Sequence, residues 1–314
     1  MTEVPQVQDV GGVLLIDVRH QGITGTIGSY LVAAPDKRFA LIETGPGSTV
    51  GNLEAGIRGA GYRPANLTAI LVTHIHLDHA GAAGLLARDY GAPVYVHEEG
   101  APHLADPSRL LSSARRLYKD ELESLWGDVA PVPGEKLRPL AHRDTFEVLG
   151  RRIDVIHTPG HASSHVSYLL DGRDLFSGDA AGIRVAGTSA AKPATAPPEI
   201  DLEAWDRSFE KMRTANPRRL LLSHFGPVSE VTAHLEELAA RTREWAGLVL
   251  EGLRLGEDDS SLVTRIAAAG ESLLEAEGAD EAAKRRSRVT SDYRLTALGL
   301  KRYWLKHHPE VVAS

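Results

Sequence analysis

Short apolar runs separated by turn signals dominate the first two thirds of the chain. Val13 to Val18 is apolar and rich in β-formers, and Gly25 to Val32 and Phe39 to Ile42 continue the pattern with Pro35-Asp36 as a turn between them, which predicts an opening β-meander. The pattern then alternates. Ser48 to Ala60 reads as a helix, Ala69 to Val72 as a buried strand, Ala80 to Tyr90 as a helix and Pro93 to Val96 as another strand, the alternation expected of an α/β protein. Asp106 to Trp126 is helical, with Leu110, Leu111, Leu117, Leu122 and Leu125 available to one face, and Pro131-Val132-Pro133-Gly134 ends it. The stretch from about 102 to 130 therefore reads as a helical insert in a β-framework. Strands resume at Thr145 to Val148, Ile153 to His157, Val166 to Leu170, Asp174 to Phe176 and Arg219 to Leu222. Before the last of them, Thr188 to Pro198 is rich in Ala, Pro and Thr, a composition that cannot build a core and predicts a loop near the sites flanking it. After about His234 the signal turns helical, as in Leu235 to Leu253. The expected organisation is a β-rich catalytic domain over 1–233 and a helical C-terminal region over 234–314.

Candidate chemistry is concentrated directly after one of the buried strands. His74, His76, Asp78 and His79 place three imidazoles and a carboxylate within six positions. Neutral imidazole and carboxylate are donors that zinc, manganese and iron accept. His74 and His76 are two apart, the spacing of an extended segment, whereas a helix would place paired ligands three or four apart. A turn leaving a strand can splay such side chains toward two neighbouring ions; a solvated histidine-rich loop is the alternative. Downstream, His161 follows Thr158-Pro159-Gly160, Asp179 follows Ser177-Gly178, and His224 follows Leu220-Leu221-Leu222-Ser223. Each stands just past the C-terminal end of an apolar strand, where side chains from separate strands can converge on one edge of a sheet.

Composition narrows the metal and the partner. With no cysteine among 314 residues there is no disulfide, thiolate ligand or cysteine nucleophile, so any metal is held by nitrogen and oxygen. A net charge of −7 disfavours nucleic acid as a partner. No run approaches the roughly 18 apolar residues of a membrane span, and Met1 to Gln8 lacks a basic segment followed by an apolar one. A cytoplasmic protein without a membrane partner is expected. The 42% hydrophobic and 25% charged content is that of an ordinary globular chain long enough to bury a sizeable core.

The His-x-His-x-Asp-His motif at His74 to His79, Gly160-His161, Gly178-Asp179 and the late His224 resemble, in that order, the metallo-β-lactamase superfamily over roughly Val13 to Pro227. The resemblance implies an α/β fold built as a four-layer αββα sandwich, with the metals at one edge and here an appended C-terminal helical region. It implies two divalent metal ions, zinc with manganese or iron as alternatives. His74, His76 and His161 would hold the first, Asp78, His79 and His224 the second, and Asp179 would bridge them. Such a pair, about 3.5–4 Å apart, lowers the pKa of a bridging water to near neutrality and so supplies a hydroxide nucleophile. Asp78 and Asp179 are the candidate catalytic residues, orienting the hydroxide or relaying a proton.

Departures from family patterns sharpen the expectation. The commonest class B β-lactamases carry a cysteine where Asp179 stands, so antibiotic hydrolysis is not expected. Flavodiiron oxidoreductases carry Glu at the position of His76 and add a flavodoxin domain, neither of which is present. The implied activity is hydrolysis of a small thioester, lactone or related ester, as in the glyoxalase II-like and lactonase-like branch, with a small molecule as partner. The alternatives are an RNA endonuclease or phosphodiesterase of the same fold and a mononuclear-iron sulfur dioxygenase using His74, His161 and Asp179.

Around this set, Glu43 replaces an aspartate usual in the family and is expected to hydrogen-bond behind the ligands on a longer stem. His165 adds an imidazole four residues past His161, for substrate contact or for a structural hydrogen bond. Tyr118 and Trp126 on the insert are candidates for the wall of an apolar pocket, with plain packing as the alternative. His97, His103, His142 and His157 lack a motif and are read as non-ligands. Lys284 to Lys306 holds eight basic residues against one acid, Asp292. That segment either contacts a polyanion or forms a solvated face paired with the acids of Glu271 to Glu281, and the C-terminal helices also offer a homo-oligomer contact.

Overall fold

The computed structural model describes residues 6–312. Strands β1 (Val7–Asp9), β2 (Leu14–Asp17), β3 (Gly28–Ala33), β4 (Phe39–Ile42), β5 (Leu67–Leu71), β6 (Val94–His97) and β7 (Leu137–Leu140) form one sheet in chain order. A second sheet holds β8 (Thr145–Val148), β9 (Arg151–His157), β10 (Val166–Leu170), β11 (Asp174–Phe176), β12 (Arg219–Leu222) and β13 (Gly226–Val228), ordered β13-β12-β11-β10-β9-β8. Pairing is antiparallel from β1 to β4 and parallel from β4 to β7. In the second sheet only β11 and β12 are parallel.

Parallel neighbours need crossovers, and each crossover contains a helix. The helices are α1 (Val50–Gly59) after β4, α2 (Leu77–Ala80) and α3 (Ala83–Tyr90) after β5, then α4 (Ala101–Ala105), α5 (Ser108–Tyr118) and α6 (Leu122–Trp126) after β6, and α7 (Leu202–Thr214) after β11. The C-terminal region adds α8 (Val231–Arg254), α9 (Asp259–Ala276), α10 (Glu281–Thr290), α11 (Tyr293–His307) and α12 (Pro309–Val312). Asp201, Asp258, Asp280 and Asp292 cap α7, α9, α10 and α11, each accepting an amide hydrogen that the first turn would leave unpaired.

Strand alternation builds the layers. Tyr30, Ile42, Leu71, Tyr168, Phe176 and Leu221 point between the two sheets. Their neighbours Leu31, Leu41 and Ile70 point outward onto Leu53, Ile57 and Leu86 of the first helical layer, and Leu175, Leu220 and Leu222 onto Trp205, Phe209 and Met212 of the second. Two buried tyrosines bind the sheets to each other: Tyr30 donates its hydroxyl to Leu222 O at 2.6 Å and Tyr168 donates to Val72 O at 2.8 Å. The result is the αββα sandwich, with the C-terminal helices around their own core of Trp245, Val249, Leu262, Ile266 and Leu300. No helix among the described residues is long and apolar enough to cross a membrane.

Three strands escape the hydrophobic pattern. β1 is partly exposed, β7 reads Leu-Arg-Pro-Leu and β13 reads Gly-Pro-Val, so none shows an apolar run. The helix expected over Asp106 to Trp126 is broken at Lys119, whose φ of 49° leaves the helical region and separates α5 from α6.

The Thr188 to Pro198 segment is irregular, as its composition predicts, but Lys192 within it is buried and donates to Ser287 Oγ of α10. Burial lowers the Lys192 pKa to about 7, against the opposing pull of Glu271, with Arg241 pushing further down. An unfolded lysine titrates near 10.5, so between these values the unfolded chain binds more protons and the cost of burying this group falls as pH rises. Each pH unit inside the window is worth up to about 1.4 kcal/mol. Thermal unfolding from pH 6.5 to 9.5 is expected to show the stability of the wild type rising relative to Lys192→Met; a pH-independent difference would remove the assignment.

Candidate metal centre

The site forms at the sandwich edge toward which β5, β9, β11 and β12 all run. His74 follows β5 in a bend and His76 in extended backbone, and the chain then winds into α2, with His76 at its N-cap and Asp78 and His79 on its only turn. The cluster expected as a plain turn thus ends as a helical one. His161 follows β9, Asp179 lies on a 3₁₀ turn after β11, and His224 links β12 to β13. All seven side chains converge there. The donor atoms of His74, His76 and His161 lie within 4.8 Å of one another, as do those of Asp78, His79 and His224.

Asp179 stands between the two groups. Its Oδ1 is 3.2 Å from His79 Nε2 and 3.5 Å from His224 Nε2, while its Oδ2 is 3.5 Å from His161 Nε2. Asp78 Oδ2 completes the second group at 3.4 Å from His224 Nε2 and 3.6 Å from His79 Nε2.

The far side of each ring shows which nitrogen faces the site. His161 Nδ1 donates to Ala194 O at 2.6 Å and His224 Nδ1 donates to Thr26 O at 2.8 Å, because a carbonyl can only accept. Thr73 Oγ1 gives its one proton to Glu43 and therefore accepts from His74 Nδ1 at 3.0 Å. His74 Nε2 and His161 Nε2 are left as lone-pair donors only 3.2 Å apart, with His76 Nδ1 3.0 and 2.8 Å from them. Lone pairs at that range repel, and a cation among them removes the conflict. The all-nitrogen and mixed nitrogen–oxygen sets fit a borderline divalent ion.

Electrostatics divides the site along the same line. Burial pushes His74 well below the ordinary histidine range and His76 down to about 4, and the surrounding imidazoles push in the same direction. Burial also opposes charge on His79, but the carboxylates of Asp179, Asp78 and Glu43 outweigh it and hold that ring well above the usual range. His224 is raised by Asp179 and Asp78 against the same burial. Desolvation would raise both aspartates, yet the imidazoles facing them hold Asp78 and Asp179 below the ordinary carboxylate range. His74 and His76 are held neutral, whereas the His79–His224 pair favours positive charge.

Glu43 lies behind His74 and His79. Its backbone is left-handed at φ 64°, and its buried carboxylate accepts from Thr73 Oγ1 and Thr73 N (3.3 Å) while facing His79 Nδ1 at 3.3 Å. The longer stem spans the gap and reaches both His74, through Thr73, and His79 directly. His165 is fully buried; its Nδ1 meets Thr158 Oγ1 at 2.9 Å and its Nε2 accepts the Asp179 amide at 3.2 Å. It touches the turn that carries Asp179 and does not line the cavity beside the site.

That cavity, about 500 Å³, opens over Asp78, His161 and His224. Tyr118 and Trp126 of the insert form one wall, Val289 and Leu295 of the C-terminal helices another, and Pro193 to Glu199 borders them. Sequence reasoning missed His20, which lines the cavity, is buried, and stacks on Trp126 with ring centroids 5.2 Å apart. A lone histidine without a motif gives no signal. His103, read as a non-ligand, also lines the cavity, whereas His97, His142 and His157 cluster away from it. Much of the basic segment is internally paired: Arg288 with Glu271 at 2.6 Å, Lys284 with Glu281 at 3.6 Å and Lys301 with Asp259 at 2.6 Å.

Known proteins share this architecture. A solved metallo-beta-lactamase family protein of Thermus thermophilus superposes over 95% of this chain and 94% of its own, with a TM-score of 0.65 and 24% identity, which bears on the fold alone. A metallo-beta-lactamase fold-containing protein of Sulfurisphaera tokodaii is 29% identical over 180 residues, covering 56% of this chain and 67% of that protein. A hydroxyacylglutathione hydrolase of Xylella fastidiosa is 35% identical over 152 residues, covering 48% of this chain and 43% of that enzyme. The match thus takes in about two thirds of the first relative and less than half of the second. The family profile of the metallo-beta-lactamase superfamily matches residues 24–224, which run from the loop carrying Thr26 to His224 itself. With the donor set inside that match and the sandwich around it, the chain belongs to the metallo-β-lactamase superfamily.

Proposed function

We propose that the protein is a metal-dependent hydrolase that cleaves a small thioester, lactone or related ester, using two divalent ions, zinc before manganese or iron. His74, His76 and His161 hold one ion, Asp78, His79 and His224 the other, and Asp179 serves both. The observation that carries this reading is the Asp179 carboxylate, which presents one oxygen to His79 and His224 and the other to His161. Bound there, such ions supply Lewis acidity and bring the acidity of a water near neutrality. Asp78, whose side chain is 24% exposed where Asp179 is 6% exposed, is the more open of these two carboxylates and is placed to take a proton released during attack. Ile75, Leu77 and Trp126 give the cavity an apolar lining that holds an acyl chain and excludes bulk water.

The size of the cavity favours a small molecule over a polymer, and the internal pairing of Arg288, Lys284 and Lys301 leaves less free positive charge for a nucleic-acid backbone. Among the relatives, the hydroxyacylglutathione hydrolase supports a thioester as the first substrate to try. The test is elemental analysis of the purified protein followed by thioester, lactone and phosphodiester substrates on that same sample. Two zinc or manganese ions per chain and turnover of a thioester or lactone are expected. One iron with oxygen consumption, or cleavage of RNA alone, would overturn the reading.

A further inference from the structure

The orientation of two of the proposed ligands depends on carbonyls outside the strands. His224 hangs on Thr26 O, in the loop between β2 and β3, and His161 hangs on Ala194 O, in the segment between β11 and α7. Both loops meet α10. Arg286 donates from Nε to Thr24 O at 2.8 Å and from Nη1 to Ala186 O at 3.2 Å, so one guanidinium staples the first loop to the second. Its neighbour Ser287, fully buried, accepts from Lys192 Nζ, and Lys192 pairs its backbone both ways with Ile183 at 2.8 and 2.9 Å.

The contact leaves no room for a side chain. A Cβ on Gly25 would stand 2.7 Å from the Ala186 methyl and 3.3 Å from Arg286 Nε, and the φ of 74° there suits glycine. The second loop also reaches His224 directly, since Arg184 N donates to His224 O and Phe225 N donates to Arg184 O at 3.0 Å. From the other end, Asp17 accepts the amides of Arg19 and Gly25 at 2.9 and 2.8 Å and closes the first loop on itself.

We propose that α10 positions the metal centre through two adjacent residues, Arg286 fixing the loop that orients His224 and Ser287, with Lys192, fixing the loop that orients His161. This rests on the reading of those histidines as metal ligands. Arg286 and Ser287 are positioning residues: they touch neither ligand, and they act through Thr24 to Thr26 and through Lys192 to Ala194. Partners that orient a metal-binding histidine typically govern about 10–100-fold in metal affinity.

Competition of metal-free protein against a chromophoric chelator with zinc, resolving two sites, tests the assignment. Arg286→Ala is expected to weaken one of the two sites about 10–100-fold while changing the other much less. Ser287→Ala is expected to weaken the opposite one. Arg286→Lys, which keeps a donor within reach of Thr24 O, is expected to recover part of the loss, and it covers the case in which the alanine variant folds poorly. Equal weakening of both sites in every variant, in step with a lower Tm of the metal-free protein, would reduce α10 to general scaffolding and overturn the proposal. Unchanged zinc affinities in Arg286→Ala, with a wild type that binds two ions, would overturn the proposal alone. A wild type that binds no zinc would overturn the metal reading and the proposal with it.

Discussion

Replacing Asp179 with alanine is expected to lower turnover of a small ester at least about a hundredfold, a loss of about 2.7 kcal/mol in transition-state stabilisation. Its carboxylate stands between the two halves of the site: its two oxygens lie 3.2–3.5 Å from His79, His224 and His161. Without it His224 keeps Asp78 as its facing carboxylate and His79 keeps Asp78 and Glu43, and the buried imidazoles lose the largest influence that favours their positive form. Zinc content is expected to fall below two ions per chain in the same preparation. Asp179→Asn separates shape from charge, because it fills the same space yet presents an amide to one side. Turnover close to that of the wild type in the alanine variant would end the idea that this residue joins the two halves.

Glu43→Ala carries the second large effect, and here stability and metal affinity are expected to fall together. The buried carboxylate accepts two hydrogen bonds from Thr73 and faces His79 Nδ1. Deleting it orphans buried donors at about 1–3 kcal/mol each. It also frees two rings of the proposed ligand set at once, His79 directly and His74 because Thr73 then has no fixed acceptor to hold its hydroxyl oriented toward it. Zinc affinity is expected to drop about 10–100-fold. Chemical denaturation of the metal-free protein should show a loss of a few kcal/mol, because the orphaned donors do not depend on the ion. Glu43→Gln keeps the length and one acceptor and is expected to fall between. An alanine variant with unchanged stability and full zinc affinity would show that the ligands are oriented by something else.

The proposed ligands were legible because each follows an apolar run, and a buried strand that ends in His or Asp states both where the sheet stops and what stands at its edge. The strands were legible for the same reason, except where β1, β7 and β13 lack an apolar run, whereas their stacking as a sandwich was implied by the resemblance to the superfamily. What holds the rings was not. Thr26 O and Ala194 O are main-chain atoms that any residue would supply, so no pattern of side chains marks them. His20 stands alone between Arg19 and Gln21, and its place against Trp126 comes from a fold that brings residue 20 to the helical insert. Arg286 was visible only as one charge in a basic run, and its neighbours there differ sharply in role: Arg288 pairs with Glu271, whereas Arg286 reaches across to Thr24.

The cavity's walls also impose an order in time. Every proposed ligand lies between His74 and His224, but one wall is made by Val289 and Leu295. A ribosome translating this message therefore delivers the complete set of proposed ligands some 65 codons before Val289, the first residue of that wall. During that interval the wall made by Tyr118 and Trp126 is already in the nascent polypeptide while the one made by Val289 and Leu295 is still to come, so the closed cavity is the last part of the site to be completed.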